Sequence, residues 1–188
     1  KAVIFFDPKG DRESLENFKT LVERYNKKAY VFSEYHSESI ILNPILEGTA
    51  NQVVDRIMCA FDWSEPYYRD ISRRKLYEAL HRMKFEGIHW SIPALTGILS
   101  NELFDKEVVG LLAKLEAIAT SDFAPYLGGI AELGKECKTL KDIWNEGACL
   151  YIGLSTQGYG ETALAIGRIF LGELLYLSYF SLGPGKSI

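Results

Sequence analysis

Little in this chain invites covalent or metal chemistry. Its 188 residues include only three cysteines, Cys59, Cys137 and Cys149, an odd number with no short spacing between any two. They make neither a disulfide framework nor a zinc site, so buried free thiols in a reducing cytoplasm are the expectation. The three histidines, His36, His81 and His89, lie in no HExxH or paired CxxC pattern, and no metal site is expected. No apolar run approaches the roughly 20 residues that span a bilayer. An excess of positive charge is missing too: the net charge is −4 and the pI near 5.5. Domains held to nucleic acid by bulk charge usually have a pI above about 9, so any such binding here must be local. No GxSxG and no credible Ser/His/Asp or Cys/His set occurs, which leaves no catalytic residue to assign. The chain also lacks an initiator Met and begins inside a strand-like run, as an excised piece of a larger protein would.

What is present is globular: 47% hydrophobic, 13% aromatic and 24% charged residues. The length suits one domain, or one core carrying a sizeable insertion. Val3-Ile4-Phe5-Phe6, closed by Asp7-Pro8-Lys9-Gly10-Asp11, reads as a strand buried on both faces of a parallel sheet. Asp11 caps a helix with Leu15, Phe18, Val22 and Tyr25 at spacings of three and four. Ala29-Tyr30-Val31-Phe32 completes a βαβ unit. After Asn43-Pro44 the pattern becomes helical. Thr49 to Gln52 has capping-box spacing ahead of Val53, Ile57, Met58 and Phe61. Pro66 opens a helix to about Phe85 that buries Leu76, Leu80 and Met83. Further helices are expected after Pro93, around Val108 to Leu115, and over 123–137, with no strand from Gly48 to about Asn145. Trp63, Tyr67 and Tyr68 are expected to pack this helical stretch against itself or its base. Strand character returns at Ala148–Leu154; residues 155–159 read as a loop and 161–179 as a helix. The fold class is therefore α/β, a partial parallel sheet interrupted by a large all-α insertion and predominantly helical overall.

Three constellations remain. The tail Gly183-Pro184-Gly185-Lys186-Ser187 falls short of a phosphate loop, because GxxxxGK[ST] needs glycine where Phe180 stands, and no helix can follow. Residues 183–188 read instead as a disordered tail or a remnant of cloning. Asp7, Lys9 and Gly10 end the first strand, at the edge where open α/β sheets bind ligands. They suit a turn and helix cap, or a position near a nucleotide or a neighbouring subunit. Arg69, Arg73 and Lys84 fall within about 60° on one helix and form a modest basic edge beside an Asp70, Arg74, Glu78 ladder. That edge suits a solvated face, or contact with DNA or a partner. Residues 47–146 carry 12 Lys and Arg against 16 Asp and Glu, a net of −4, while the flanks carry 9 of each. The helical block thus holds all the excess acidity, which favours a protein partner over bare phosphate.

The residues resemble a family. Val3 through Asp11, followed by Ile41-Leu42-Asn43-Pro44-Ile45-Leu46, looks like the region after the phosphate loop in TraG/TraD-type coupling proteins of bacterial conjugation and type IV secretion. Ala60-Phe61-Asp62-Trp63-Ser64-Glu65-Pro66-Tyr67-Tyr68-Arg69-Asp70 is similar to the start of their helical insertion. Leu140 through Gly147, with Leu150-Tyr151-Ile152-Gly153-Leu154-Ser155-Thr156-Gln157, resembles the return into their motor sheet. The resemblance spans about residues 2–180 and implies a RecA-like motor domain at 1–46 and 147–182 interrupted by an all-α substrate-recognition domain at 47–146. It implies an ATPase that uses ATP and Mg²⁺, forms homo-hexamers at the cytoplasmic face of the inner membrane and translocates DNA. Relaxosome or secreted substrate proteins, DNA and the type IV secretion channel are the implied partners. Walker A and Walker B are not among these residues, so this segment alone is not catalytically complete. A DNA-binding helical module and a segment of an FtsK-type translocase are the alternatives.

Overall fold

β1 (Val3–Asp7), β2 (Ala29–Phe32) and β5 (Cys149–Gly153) form one parallel sheet in the order β1-β5-β2. The last strand of the chain thus lies between the first two, and β1, expected to be buried on both faces, instead lies outside β5 among the described strands with Val3 and Phe5 exposed. Val3 aligns with Cys149 and Asp7 with Gly153 on one side; Ala29 aligns with Cys149 and Phe32 with Ile152 on the other. A central parallel strand is covered on both faces, and every residue of β5 is buried, which explains its continuous apolar run. The computed structural model describes residues 1–34, 37–101, 108–128 and 137–182.

One face of the sheet carries α1 (Arg12–Arg24), whose Leu15, Phe18 and Val22 pack on Val31, Cys149 and Tyr151. The other face meets a larger core. Tyr30, Phe32, Leu150 and Ile152 join side chains from α2 (Ala50–Ala60), α3 (Pro66–Phe85), α4 (Ile92–Ser100) and α5 (Val109–Ala119). They also join α7 (Thr156–Leu182), which lies along α2 and contributes Ile166, Ile169 and Phe170. The apolar core runs unbroken from sheet to helices. The chain is predominantly helical.

The caps follow the expected chemistry. Asp11 accepts from Ser14 N–H at 2.7 Å, and Thr49 and Gln52 close a capping box on α2. Several expectations are corrected. The stretch from Gly48 to Asn145 is not free of strand: Cys137–Lys138 is β4, paired in parallel with β3 (Ile41–Leu42). The helix expected over 123–137 is replaced by a 3-10 turn at Ala124–Tyr126 and by β4, with 129–136 outside the described residues. Its Pro125 and Gly128 disfavour a longer helix. Helix α6 (Leu140–Glu146) was not anticipated, although Thr139 and Asp142 form its capping box and Gly147 ends it in the left-handed region. Residues 156–159 are helical rather than loop, and Gly160 (φ +46°) separates them from the rest of α7.

Asn43 ties these pieces together. Its Nδ2 donates to the Trp90 carbonyl at 2.8 Å, and its Oδ1 accepts from Ile45 N–H at 3.2 Å. Gly128 packs so closely that a Cβ there would stand 2.6 Å from Asn43 Cγ. Cys149 is buried as expected of a free thiol, but Cys59 and Cys137 are exposed. The tail 183–188 and His36 lie outside the described residues.

Candidate functional site

Asp7 ends β1 with only 5% of its surface exposed. Its Oδ1 accepts from Lys9 N–H at 2.9 Å; its Oδ2 accepts from Asp11 N–H at 3.2 Å and from the Tyr151 hydroxyl at 2.5 Å. Burial first, and then the Asp7 carboxylate, push the Tyr151 phenol well above its usual range. Gly10 (φ +62°) turns the chain in the left-handed region, and a Cβ there would come within 3.4 Å of Ser155 N. The β5–α7 connection closes over this turn. Leu154 N–H donates to Asp7 O at 2.8 Å, Thr156 N–H to Pro8 O at 3.1 Å, and Thr156 Oγ1 to the same carbonyl at 2.9 Å.

Asp7, Lys9 and Gly10 are therefore brought together at the carboxyl edge of the sheet. The connections leaving neighbouring β1 and β5 go to opposite faces, α1 on one and α7 on the other, which is where α/β sheets hold ligands. Their chemistry is unequal. The Asp7 carboxylate is consumed by three donors, and Gly10 serves the turn. Lys9 alone of the three presents an exposed side chain. Glu34 follows β2 on the same edge, and burial raises its carboxyl above the usual range while Ser33 and backbone donors oppose the shift.

The basic edge of α3 is less concentrated than its wheel suggests. Arg69, Arg73 and Lys84 are all exposed, but Arg73 pairs with Asp55 of α2. Nearby Arg74 lies 3.9 Å from Glu78, and Arg82 pairs with Glu86 at 2.9 Å. Arg69 and Lys84 stand roughly 22 Å apart along the helix axis. Tyr67 and Tyr68, expected to pack inward, are 63% and 57% exposed and stack on each other edge to face. Trp63 is half-buried, donates from Nε1 to the Met58 carbonyl at 2.9 Å and lies under the Lys114 ammonium.

A second buried polar site gave no warning in the residue spacing. Arg56 on α2 is 4% exposed and donates to the carbonyls of Pro44 and Glu47, the latter at 3.3 Å. Glu173 on α7 is fully buried near it, and no described donor satisfies either carboxylate oxygen. Burial pushes the Glu173 carboxyl up to about 8, although Arg56 pulls it down. The Leu140 N–H lies near enough to ease that shift without completing a hydrogen bond. Gly172 lets α7 close here, since a Cβ would stand 2.8 Å from Arg56 Cγ. Arg56 also floors a groove of about 330 Å³ between α2 and α7, rimmed by Leu175, Tyr176 and Tyr179.

Among the described residues no group of three or more His, Cys, Asp or Glu side chains is placed to hold a metal ion. No described helix is long and apolar enough to cross a membrane. Compared with protein-family models, curated proteins and solved structures, the chain matches none.

Proposed function

We propose that this chain is the substrate-recognition segment of a type IV secretion coupling protein, with the flanking pieces of its RecA-like motor domain. The reading rests on the resemblance of the quoted motifs. One observation carries it further than the motifs alone: β5, which follows the long helical stretch, is inserted between two strands that precede that stretch. That strand order supports reading 47–146 as an insertion into one sheet. In this reading the parent hydrolyses ATP with Mg²⁺ as a hexamer at the cytoplasmic face of the inner membrane. Asp7, Lys9 and Gly10 lie near its nucleotide, and the helical block meets relaxosome or secreted proteins.

The acidity of the block and the pairing of its arginines support a protein partner over DNA. Positive charge already committed to Asp55, Glu78 and Glu86 is less available to phosphate. The test is to titrate the chain against a relaxase or accessory protein, and against single- and double-stranded DNA at several salt concentrations. Saturable binding of the protein is expected, with DNA binding weak and its log–log salt slope no steeper than about −3. Submicromolar DNA affinity at physiological salt, abolished by Arg69→Ala with Lys84→Ala, would promote the DNA-binding module instead.

A further inference from the structure

Two buried groups of complementary chemistry lie near each other without bonding. Arg56 sets its Nη1 on the Pro44 carbonyl and its Nη2 on the Glu47 carbonyl at 3.3 Å, but its Nε–H has no described acceptor. Neither carboxylate oxygen of Glu173 has a described donor. Both side chains are closed off from water, at 4% and 0% exposure. Neither belongs to the carboxyl edge of the sheet or to the basic edge of α3. A dry compartment that leaves a carboxyl without donors favours the form that keeps its proton, because an ionised carboxylate there must be paired.

The compartment sits where the helical stretch begins and where it ends. Pro44 and Glu47 belong to the turn between β3 and α2, and Gly48 (φ +113°) completes that turn beside Gln52 and Tyr176. The Glu47 carboxylate pairs with Lys141 of α6 at 3.1 Å, so the same turn is tied to the element that leads back to the sheet. Arg56 therefore fastens α2 to the turn, and Glu173 on α7 is positioned to draw it away. Facing Glu173 are Arg56 from α2, Glu47 from the turn and Asp142 from α6. The Tyr176 ring, also on α7, lies 5.6 Å from the Arg56 guanidinium. Arg56 is the one cation in this set.

We infer that Glu173 is a proton-controlled latch on this turn: protonated, it leaves Arg56 holding Pro44 and Glu47; ionised, it takes the guanidinium and releases Glu47. Geometry decides which carbonyl is lost. A carboxylate meets a guanidinium side-on through Nε and Nη2, whose N–H groups point the same way. Nε is without an acceptor, and Nη2 holds Glu47 at a distance near the long end for such a bond. Nη1 points away from that fork and keeps Pro44. A charge-assisted pair is roughly twice as strong as a bond to a neutral carbonyl, so the exchange is favourable once the proton has left for solvent. Burial raises the Glu173 carboxyl to about 8, which puts the change within reach of ordinary buffers. The latch depends on none of the motifs behind the proposed function.

A titration of the chain by NMR between about pH 6 and about pH 9.5 tests this directly. Four resonances are followed: Glu173 ¹³Cδ, the Arg56 Nε–H, and the backbone carbonyl carbons of Glu47 and Pro44. As Glu173 ionises, the Arg56 Nε–H is expected to move downfield and the Glu47 carbonyl carbon upfield, both with the Glu173 midpoint, while the Pro44 carbonyl carbon stays in place. Glu173→Gln keeps the shape and cannot ionise, so it should abolish both movements. Tyr176→Phe removes the neighbouring phenol and should leave them intact. The titration of the unaltered chain carries the test even where a variant folds poorly. A Glu173 carboxyl that ionises while Arg56 and Glu47 stay still overturns the latch. So does a carboxyl that keeps one charge state across the range, and so does a movement that survives Glu173→Gln.

Discussion

Asp7 and Glu173 are both carboxylates removed from water, 5% and 0% exposed, yet their surroundings are opposite. Two backbone N–H groups and a phenol donate to Asp7. Glu173 lies near Arg56, whose Nη1 and Nη2 donate to backbone carbonyls and whose Nε has no described acceptor, and it receives no hydrogen bond from a described residue. Donors arise locally at Asp7, because a turn following a strand aims successive N–H groups at the side chain that starts it. In the middle of α7 the helix's own N–H groups are spent within it, so a buried carboxyl must find a donor from another element or hold its proton. Two carboxyl groups equally removed from water thus meet very unequal supplies of donors.

The largest effect should come from removing the satisfied acid. Asp7→Ala strands three donors at the carboxyl edge and is expected to cost about 3–5 kcal/mol in urea unfolding. A loss below about 1 kcal/mol would mean that water replaces the carboxylate and that the two acids differ less than their geometry indicates.

Glu173 gives the next largest effect, and its sign depends on pH. Its folded-state value near 8 stands above the ordinary 4.5, so the folded chain keeps a proton that the unfolded chain releases. That contribution to stability is fully present below about 4.5, declines as pH rises towards 8, and is flat above. The charged groups facing this carboxyl are Arg56, Glu47 and Asp142. Glu173→Gln should remove the slope, and at pH 8 it should be more stable than the parent. Parallel pH–stability curves for the two proteins would show that the native carboxyl ionises normally.

Tyr151→Phe removes one of three donors from Asp7 and leaves the ring packed against Phe5 and Phe18. A loss of about 1–2 kcal/mol is expected, not additive with Asp7→Ala in a double-mutant cycle. The smallest effect belongs to a pair in water. Arg73→Ala releases Asp55 where both side chains are about half exposed, and should change stability by less than about 1 kcal/mol.

These contrasts also mark how much of the fold the residues announce. β1, β2 and β5 are continuous apolar runs bounded by turn residues, α1 and α2 carry caps, and Pro66 starts α3; each is a local signal within a few positions. The turn at Asp7 was readable for the same reason. Arg56 and Glu173 were not, because each sits in an ordinary helical pattern and only tertiary packing sets one beside the other. The exposure of Tyr67 and Tyr68 was hidden for a related reason: two adjacent aromatics in the first turn of a helix cannot both face its buried stripe. The pairing of β3 with β4 depends on two residues from each strand, too few for a periodic signal. α6 did leave a trace in Thr139, Asp142 and Gly147, but its short length made that trace easy to pass over.

The position of β5 also has a consequence in time. A βαβ unit whose two strands were neighbours would close as soon as its second strand was made. Here β1 and β2 are kept apart by a strand that the ribosome has not yet produced. At about 5–20 residues per second, roughly 6–24 s separate synthesis of β2 from synthesis of β5. Through that interval the first half-sheet has no central strand to pair with, and Val31 and Tyr30 lack their permanent cover. Closing so long a loop also slows folding from denaturant, because its entropy is lost before β5 contributes a single ladder bond.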